Sequence, residues 1–186
     1  MNHPNDFSSP IALTRDCEAV LIPEGSSITL KAGVEVYLTQ ALGGSVTINV
    51  NGNLARISPE NVDALGMEPE TLPAARANDK GDGTVDLDLV WEQLGTCYDP
   101  EIPISIVELG LIYRCEIVPD ATGNRVEIDM TLTAPGCGMG PFLVEDVSAK
   151  VAEVPNVLDV VVDLIFDPPW NPVMMSEAAR LESGMY

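Results

Sequence analysis

The residues best placed for chemistry lie in Thr131-Leu-Thr-Ala-Pro-Gly-Cys137-Gly-Met-Gly-Pro141. A β-type run ends in a Pro-Gly turn, a thiol sits in that turn, and Pro141 opens a helix, where its fixed φ fits and its missing N–H costs nothing. Cys137 is therefore expected just ahead of a helix N-terminus. Free backbone N–H groups and the macrodipole favour negative charge there, so the thiol is expected to have a lowered pKa and to supply the thiolate that attacks or binds metal. Gly136, Gly138 and Gly140 leave the backbone room to approach whatever the sulfur holds. The competing reading is a Gly/Pro connection in which the cysteine is incidental. Asp99-Pro-Glu-Ile-Pro103 is the second candidate: two prolines stiffen a segment that places Asp99 and Glu101 at the end of the preceding helix. Acids there oppose the macrodipole, which points to a use in orienting a partner or a metal; the plainer reading is a helix stop with solvated acids. Thr131 and Thr133 lead into the cysteine turn. Their hydroxyls could bond a Cys137 thiolate or a bound species, and exposed β-formers would look the same.

The elements that must position these groups follow from periodicity. Leu87, Val90, Trp91, Leu94 and Tyr98 fall at helical spacing, and Asp99-Pro100 is expected to end that helix. A strand with Leu111, Tyr113, Cys115 and Ile117 on one face follows, then a turn over Pro119 to Gly123. In the next strand Val126, Ile128, Met130 and Leu132 point one way, and Glu127, Asp129, Thr131 and Thr133 the other. The helix after the cysteine turn buries Leu143, Val147, Val151 and Val154. A last strand is expected to bury Leu158, Val160, Val162, Leu164 and Phe166. Helix–strand–strand–helix–strand describes a two-layer α+β domain over residues 84–170, with a tail at 171–186. Ahead of it, residues 12–57 read as a small β-rich domain of five or so short strands, a barrel or a sandwich, with Asn51-Gly52 the strongest turn signal. Residues 58–83 read as a linker; Asp79 and Asp82 lack the spacing and closing glutamate of a calcium loop.

Composition removes several functions. Nine basic and 29 acidic residues give a net charge of −20, which repels phosphate backbones and anionic membranes alike. No nucleic-acid or membrane partner is expected, and no apolar run approaches the ~20 residues of a membrane span. The N-terminus lacks the basic and apolar regions of a secretory signal, so the chain is expected in the cytoplasm with reduced cysteines. Its four cysteines, at positions 17, 97, 115 and 137, form no compact metal knuckle. Cys115 and Cys17 read as structural and Cys97 as ambiguous. The single histidine, His3, lies near the terminus, leaving no plausible Cys–His dyad.

Asp99-Pro-Glu-Ile-Pro103, Val107-Glu-Leu-Gly-Leu-Ile-Tyr113 and the run ending at Cys137 resemble the domain shared by PaaD and the cytosolic iron–sulfur targeting factors. Arg15-Asp-Cys17, Ile22-Pro-Glu-Gly25, Thr39-Gln-Ala-Leu-Gly-Gly44, Asp63-Ala-Leu-Gly66, Asp167-Pro-Pro-Trp170 and Met174-Met-Ser-Glu-Ala-Ala-Arg180 look like the extension found in SufT. The resemblance implies a non-enzymatic auxiliary factor in iron–sulfur protein maturation. Cys137 matches the reactive cysteine and metal ligand of that family, and Asp99 and Glu101 its acidic motif. Thr131 and Thr133 would complete the surroundings of a transient iron–sulfur cluster or iron. The partners implied are the assembly machinery and recipient apoproteins, with a homodimer as the expected self-association and the N-terminal β domain serving docking. The alternatives are a PaaD-like accessory subunit of an oxygenase complex and a thiol-dependent enzyme, the latter opposed by the missing histidine base.

Overall fold

The computed structural model describes residues 9–69 and 81–185. The chain divides into two compact units, Met1–Leu72 and Pro73–Tyr186.

Short β-forming runs punctuated by Gly, Pro and Asn build the first unit. Its strands are β1 (Pro10–Ala12), β2 (Cys17–Ile22), β3 (Ser27–Leu30), β4 (Glu35–Leu42), β5 (Ser45–Val50) and β6 (Asn53–Ile57). They form one antiparallel sheet in the order β1-β4-β5-β6-β2-β3, so among the described residues the pairing leaves two edges, in place of the expected closed barrel or sandwich. Asn51 and Gly52 both take positive φ, as a two-residue hairpin turn between β5 and β6 demands. One face buries Val36, Leu38, Val46, Ile48, Ala55 and Ile57. A 3-10 helix at Pro59–Leu65 covers that face with Val62, Ala64 and Leu65. Residues 59–65 therefore belong to the first unit and correct the linker reading of 58–83. Asp79 lies outside the described residues, while Asp82 accepts from the Thr84 N–H at 2.9 Å in a local turn.

The second unit is α+β. Its elements are α1 (Leu87–Gly95), β7 (Ile112–Asp120), β8 (Gly123–Met130), α2 (Gly140–Ala152), β9 (Val157–Leu164) and α3 (Glu177–Ser183). The sheet runs β7-β8-β9, with β7 antiparallel and β9 parallel to β8, as a crossover through α2 requires. Strict alternation in β8 puts Val126, Ile128 and Met130 into the core beside Leu143, Val147 and Val151 of α2. Helix α1 stops at Gly95, before the Asp99-Pro100 stop that was expected, and Tyr98 instead bridges to Ser105. Its buried residues are Leu89, Val90, Gln93 and Leu94, which leaves Leu87 and Trp91 on the exposed margin.

Two irregularities overturn expected strand faces. A bulge in β7 between Ile112 and Arg114 puts Ile112, Cys115 and Ile117 against the core; Tyr113 turns away, and its hydroxyl donates to the Pro168 carbonyl at 2.9 Å. A register shift at the start of the β8–β9 ladder likewise leaves Leu158 67% exposed, and Phe166 beyond the strand is 43% exposed. Val160, Val162 and Leu164 do pack on the core. The segment expected as a tail is also part of this unit. Met175 and Ala179 are buried, the Trp170 indole N–H donates to the Leu109 carbonyl at 2.7 Å, and Ser176 N–H donates to the Glu108 carbonyl at 2.8 Å. Gly110 has φ +70°, and a side chain there would run into the Met174 carbonyl.

Candidate functional site

The loop between α1 and β7 is closed by its own backbone. Asp99 N–H donates to the Ile104 carbonyl at 3.2 Å, and Ile106 N–H to the Cys97 carbonyl at 2.9 Å. Inside that loop Asp99 is 6% exposed, and its carboxylate accepts the N–H groups of Glu101 and Ile102, both at 2.9 Å. Asp99 thus shapes the turn that presents Glu101. Because α1 ends four residues earlier, neither acid stands against that helix's C-terminal dipole, and the electrostatic argument for their use falls away.

On the other side, β8 ends at Met130 and α2 begins at Gly140, with Pro141 second in the helix. Cys137 N–H donates to the Ala134 carbonyl at 3.3 Å, and Gly140 N–H to the Cys137 carbonyl at 3.1 Å, so the thiol sits in a doubly tied turn. A Cβ on Gly140 would lie 2.9 Å from Leu132 Cδ1 and 3.5 Å from Leu164 Cδ1, which is why the first turn of α2 can press onto the end of the sheet. The Cys137 thiol donates to Glu101 Oε1 at 3.8 Å.

The structure therefore brings Cys137 and Glu101 together, with Asp99 behind Glu101. It brings neither threonine hydroxyl into a hydrogen bond with the sulfur. Thr131 is completely buried, its N–H bound to the Leu111 carbonyl at 2.9 Å and its hydroxyl without a partner among the described residues. Thr133 is half-buried. Cys97 is core, its thiol 3.7 Å from the Gln93 carbonyl, and Cys17 is equally buried in the first unit.

The expected lowering of the Cys137 pKa is reversed. Burial pushes the thiol up, the Met139 N–H pulls it down, and the Glu101 and Asp99 carboxylates push it up again. One helix-terminal N–H is outweighed by desolvation and two negative charges. Cys115, facing the core, is pushed by burial up to about 11.

One supporting group escaped the sequence reading. Lys150 of α2 is buried beside Asp146 at 3.1 Å and donates to the Thr96 carbonyl at 2.8 Å, just past the end of α1. The ammonium thereby ties the helix that follows Cys137 to the segment that leads into Asp99 and Glu101. The Asp146/Lys150 spacing of four was the available signal.

A family profile described as iron–sulfur cluster assembly protein matches residues 87–164. An Fe–S protein maturation auxiliary factor of Porphyromonas gingivalis is 50% identical over 91 residues, covering 49% of this chain and 84% of that protein. The chain belongs to this family. Within it, the maturation auxiliary factor SufT of Staphylococcus aureus is 39% identical over 87 residues, 47% of this chain and 96% of that one. An iron–sulfur cluster carrier protein of Deinococcus radiodurans is 32% identical over 76 residues, 41% of this chain and 21% of that protein. The family profile lies wholly within the second unit, which holds Asp99, Glu101 and Cys137.

Proposed function

We propose that this chain is a non-enzymatic cytoplasmic factor that passes iron–sulfur clusters to recipient apoproteins, with Cys137 as the transient iron ligand. The placement of Cys137 carries the reading: a thiol in a tied turn at the margin of the core, with a carboxylate as its hydrogen-bonding side-chain neighbour, in a chain half-identical to a maturation factor over that domain. The cluster is cargo. Among the described residues no three His, Cys, Asp or Glu side chains converge as a metal site, whereas a cluster takes about four thiolates. The remaining ligands come from a second copy, a recipient or a small thiol, and ligands that arrive from outside can also leave. Glu101 flanks the sulfur and, carried by the Asp99 turn, adds an oxygen donor and a negative field for iron. Coordination displaces the thiol proton, and release restores it.

The test is anaerobic purification with iron and sulfide analysis, followed by transfer to an apoprotein. Wild type is expected to load substoichiometrically and transfer, while Cys137→Ala does neither. A stable cluster at one per monomer, with every ligand from one chain, would overturn the transfer reading. Stoichiometric co-purification of an oxygenase would favour an accessory subunit instead.

A further inference from the structure

β9 is an edge strand of its sheet, paired among the described residues with β8 alone. One flank of its main chain is therefore open, a row of donors and acceptors available to another strand. The face of this sheet away from α2 is polar, and its charges are unevenly matched. On β7 and β8 Arg114 engages Asp129 at 2.7 Å and Glu116 at 2.9 Å, and Arg125 engages Glu127 at 3.0 Å. In β9 the same face carries Asp159, Val161 and Asp163, in register with Arg125, Glu127 and Asp129. Asp159 accepts the neighbouring Val160 N–H at 3.0 Å, and Asp163 has no side-chain partner among the described residues. Leu158 and Phe166, exposed near the two ends of the strand, extend the contact surface with apolar area.

We propose that the free edge of β9 docks an extended basic segment of a partner protein as a fourth strand. The segment would present two Lys or Arg four residues apart, opposite Asp159 and Asp163, with an apolar residue midway between them over Val161. Charged edges deter self-pairing, so the carboxylates that repel a second copy select a basic occupant, which the net charge of −20 also favours. The position matters for transfer, because Leu164 at the end of β9 lies against Gly140, three residues beyond Cys137. A segment added to β9 would run toward the end of the sheet where that turn sits. The docking rests on the edge and its charges and not on the thiol, so the two readings fail separately.

The experiment uses the full chain and a synthetic peptide as long as β9, with two Lys four residues apart on either side of a central Val, beside a scrambled peptide of equal charge. The patterned peptide is expected to bind at least about tenfold more tightly than the scramble and to slow amide exchange in β9 selectively. Asp159→Lys/Asp163→Lys is expected to abolish that preference and to bind the Glu-for-Lys peptide instead. Cys137→Ala is expected to bind like wild type. Equal affinity for the scramble, binding without protection of β9, or protection of β9 that depends only on protein concentration would each overturn the proposal, the last by naming a second copy as the occupant.

Discussion

The two units treat their motif residues differently. In the first, Arg15 holds Asp63 through a two-pronged ion pair and reaches Asn61 at 3.1 Å. Asp16 accepts from Ala32 N–H and Lys31, and the Cys17 thiol is buried against the Glu18 carbonyl at 3.3 Å. Two motifs almost fifty residues apart are thus one structural clasp, with each polar group used to tie the 3-10 helix and a turn to the sheet. In the second unit Asp99 and Lys150 are used the same way, but Cys137 and Glu101 are not: the hydrogen bond between their side chains is long and weak. A motif residue whose polar atoms are all engaged by the fold reports architecture. Cys137 and Glu101, left with loose contacts, are the pair proposed for chemistry.

The largest contrast is between the cysteines themselves. Cys137→Ala is expected to abolish maturation in a complementation assay while moving Tm by less than ~5 °C, roughly 1 kcal/mol for a domain of this size. Cys17→Ala is expected to retain maturation and lose about 1 kcal/mol in chemical denaturation. An inactive Cys17 variant with an unchanged midpoint would break the contrast. Within the second unit, Lys150→Ala strands a buried carboxylate and a helix-end carbonyl, and a loss of about 3–5 kcal/mol is expected from urea melts. Asp99→Ala frees two buried N–H groups and should cost about 1–3 kcal/mol by the same measurement.

Smaller effects sharpen the chemical side. Cys137 is expected to alkylate with iodoacetamide faster than Cys115 at neutral pH, since Cys115 is held protonated to about pH 11; mass-spectrometric mapping of both sites reads this. Glu101→Gln removes a negative charge that favours the protonated thiol, so alkylation of Cys137 should accelerate and its pH profile shift to lower pH. The folded pKa of Cys115 exceeds the unfolded value near 9, so its contribution to stability is complete below pH 9 and is lost as pH rises toward 11. Midpoints measured from pH 8 to 11 test this, and Cys115→Ala should flatten the decline.

Much of the scaffold was legible because alternation and turn residues are strong signals: the buried set of β8 follows strict period two, and Asn51-Gly52 turns the chain between β5 and β6. Tyr113 and Leu158 were misassigned because a single bulge or register shift reverses which face a residue joins, and neither leaves a composition mark. Of the candidate site, Cys137 was visible locally through its glycines and following helix. Its nearness to Glu101 spans 36 residues of sequence and came only through resemblance. The thiol's acidity was read with the wrong sign for the same reason. A helix terminus can be seen in sequence, while a carboxylate brought across space cannot.

The anchoring of residues 168–180 has a practical corollary. A fragment trimmed to the family match, 87–164, would cut through one physical body. It would strip the indole from the Leu109 carbonyl, remove Met175 and Ala179 from the core, and leave the Gly110 turn without the backbone that packs over it. Such a fragment would keep every proposed ligand yet present a raw apolar edge to solvent. Aggregation or lost activity in it would measure a missing wall and say nothing about Cys137.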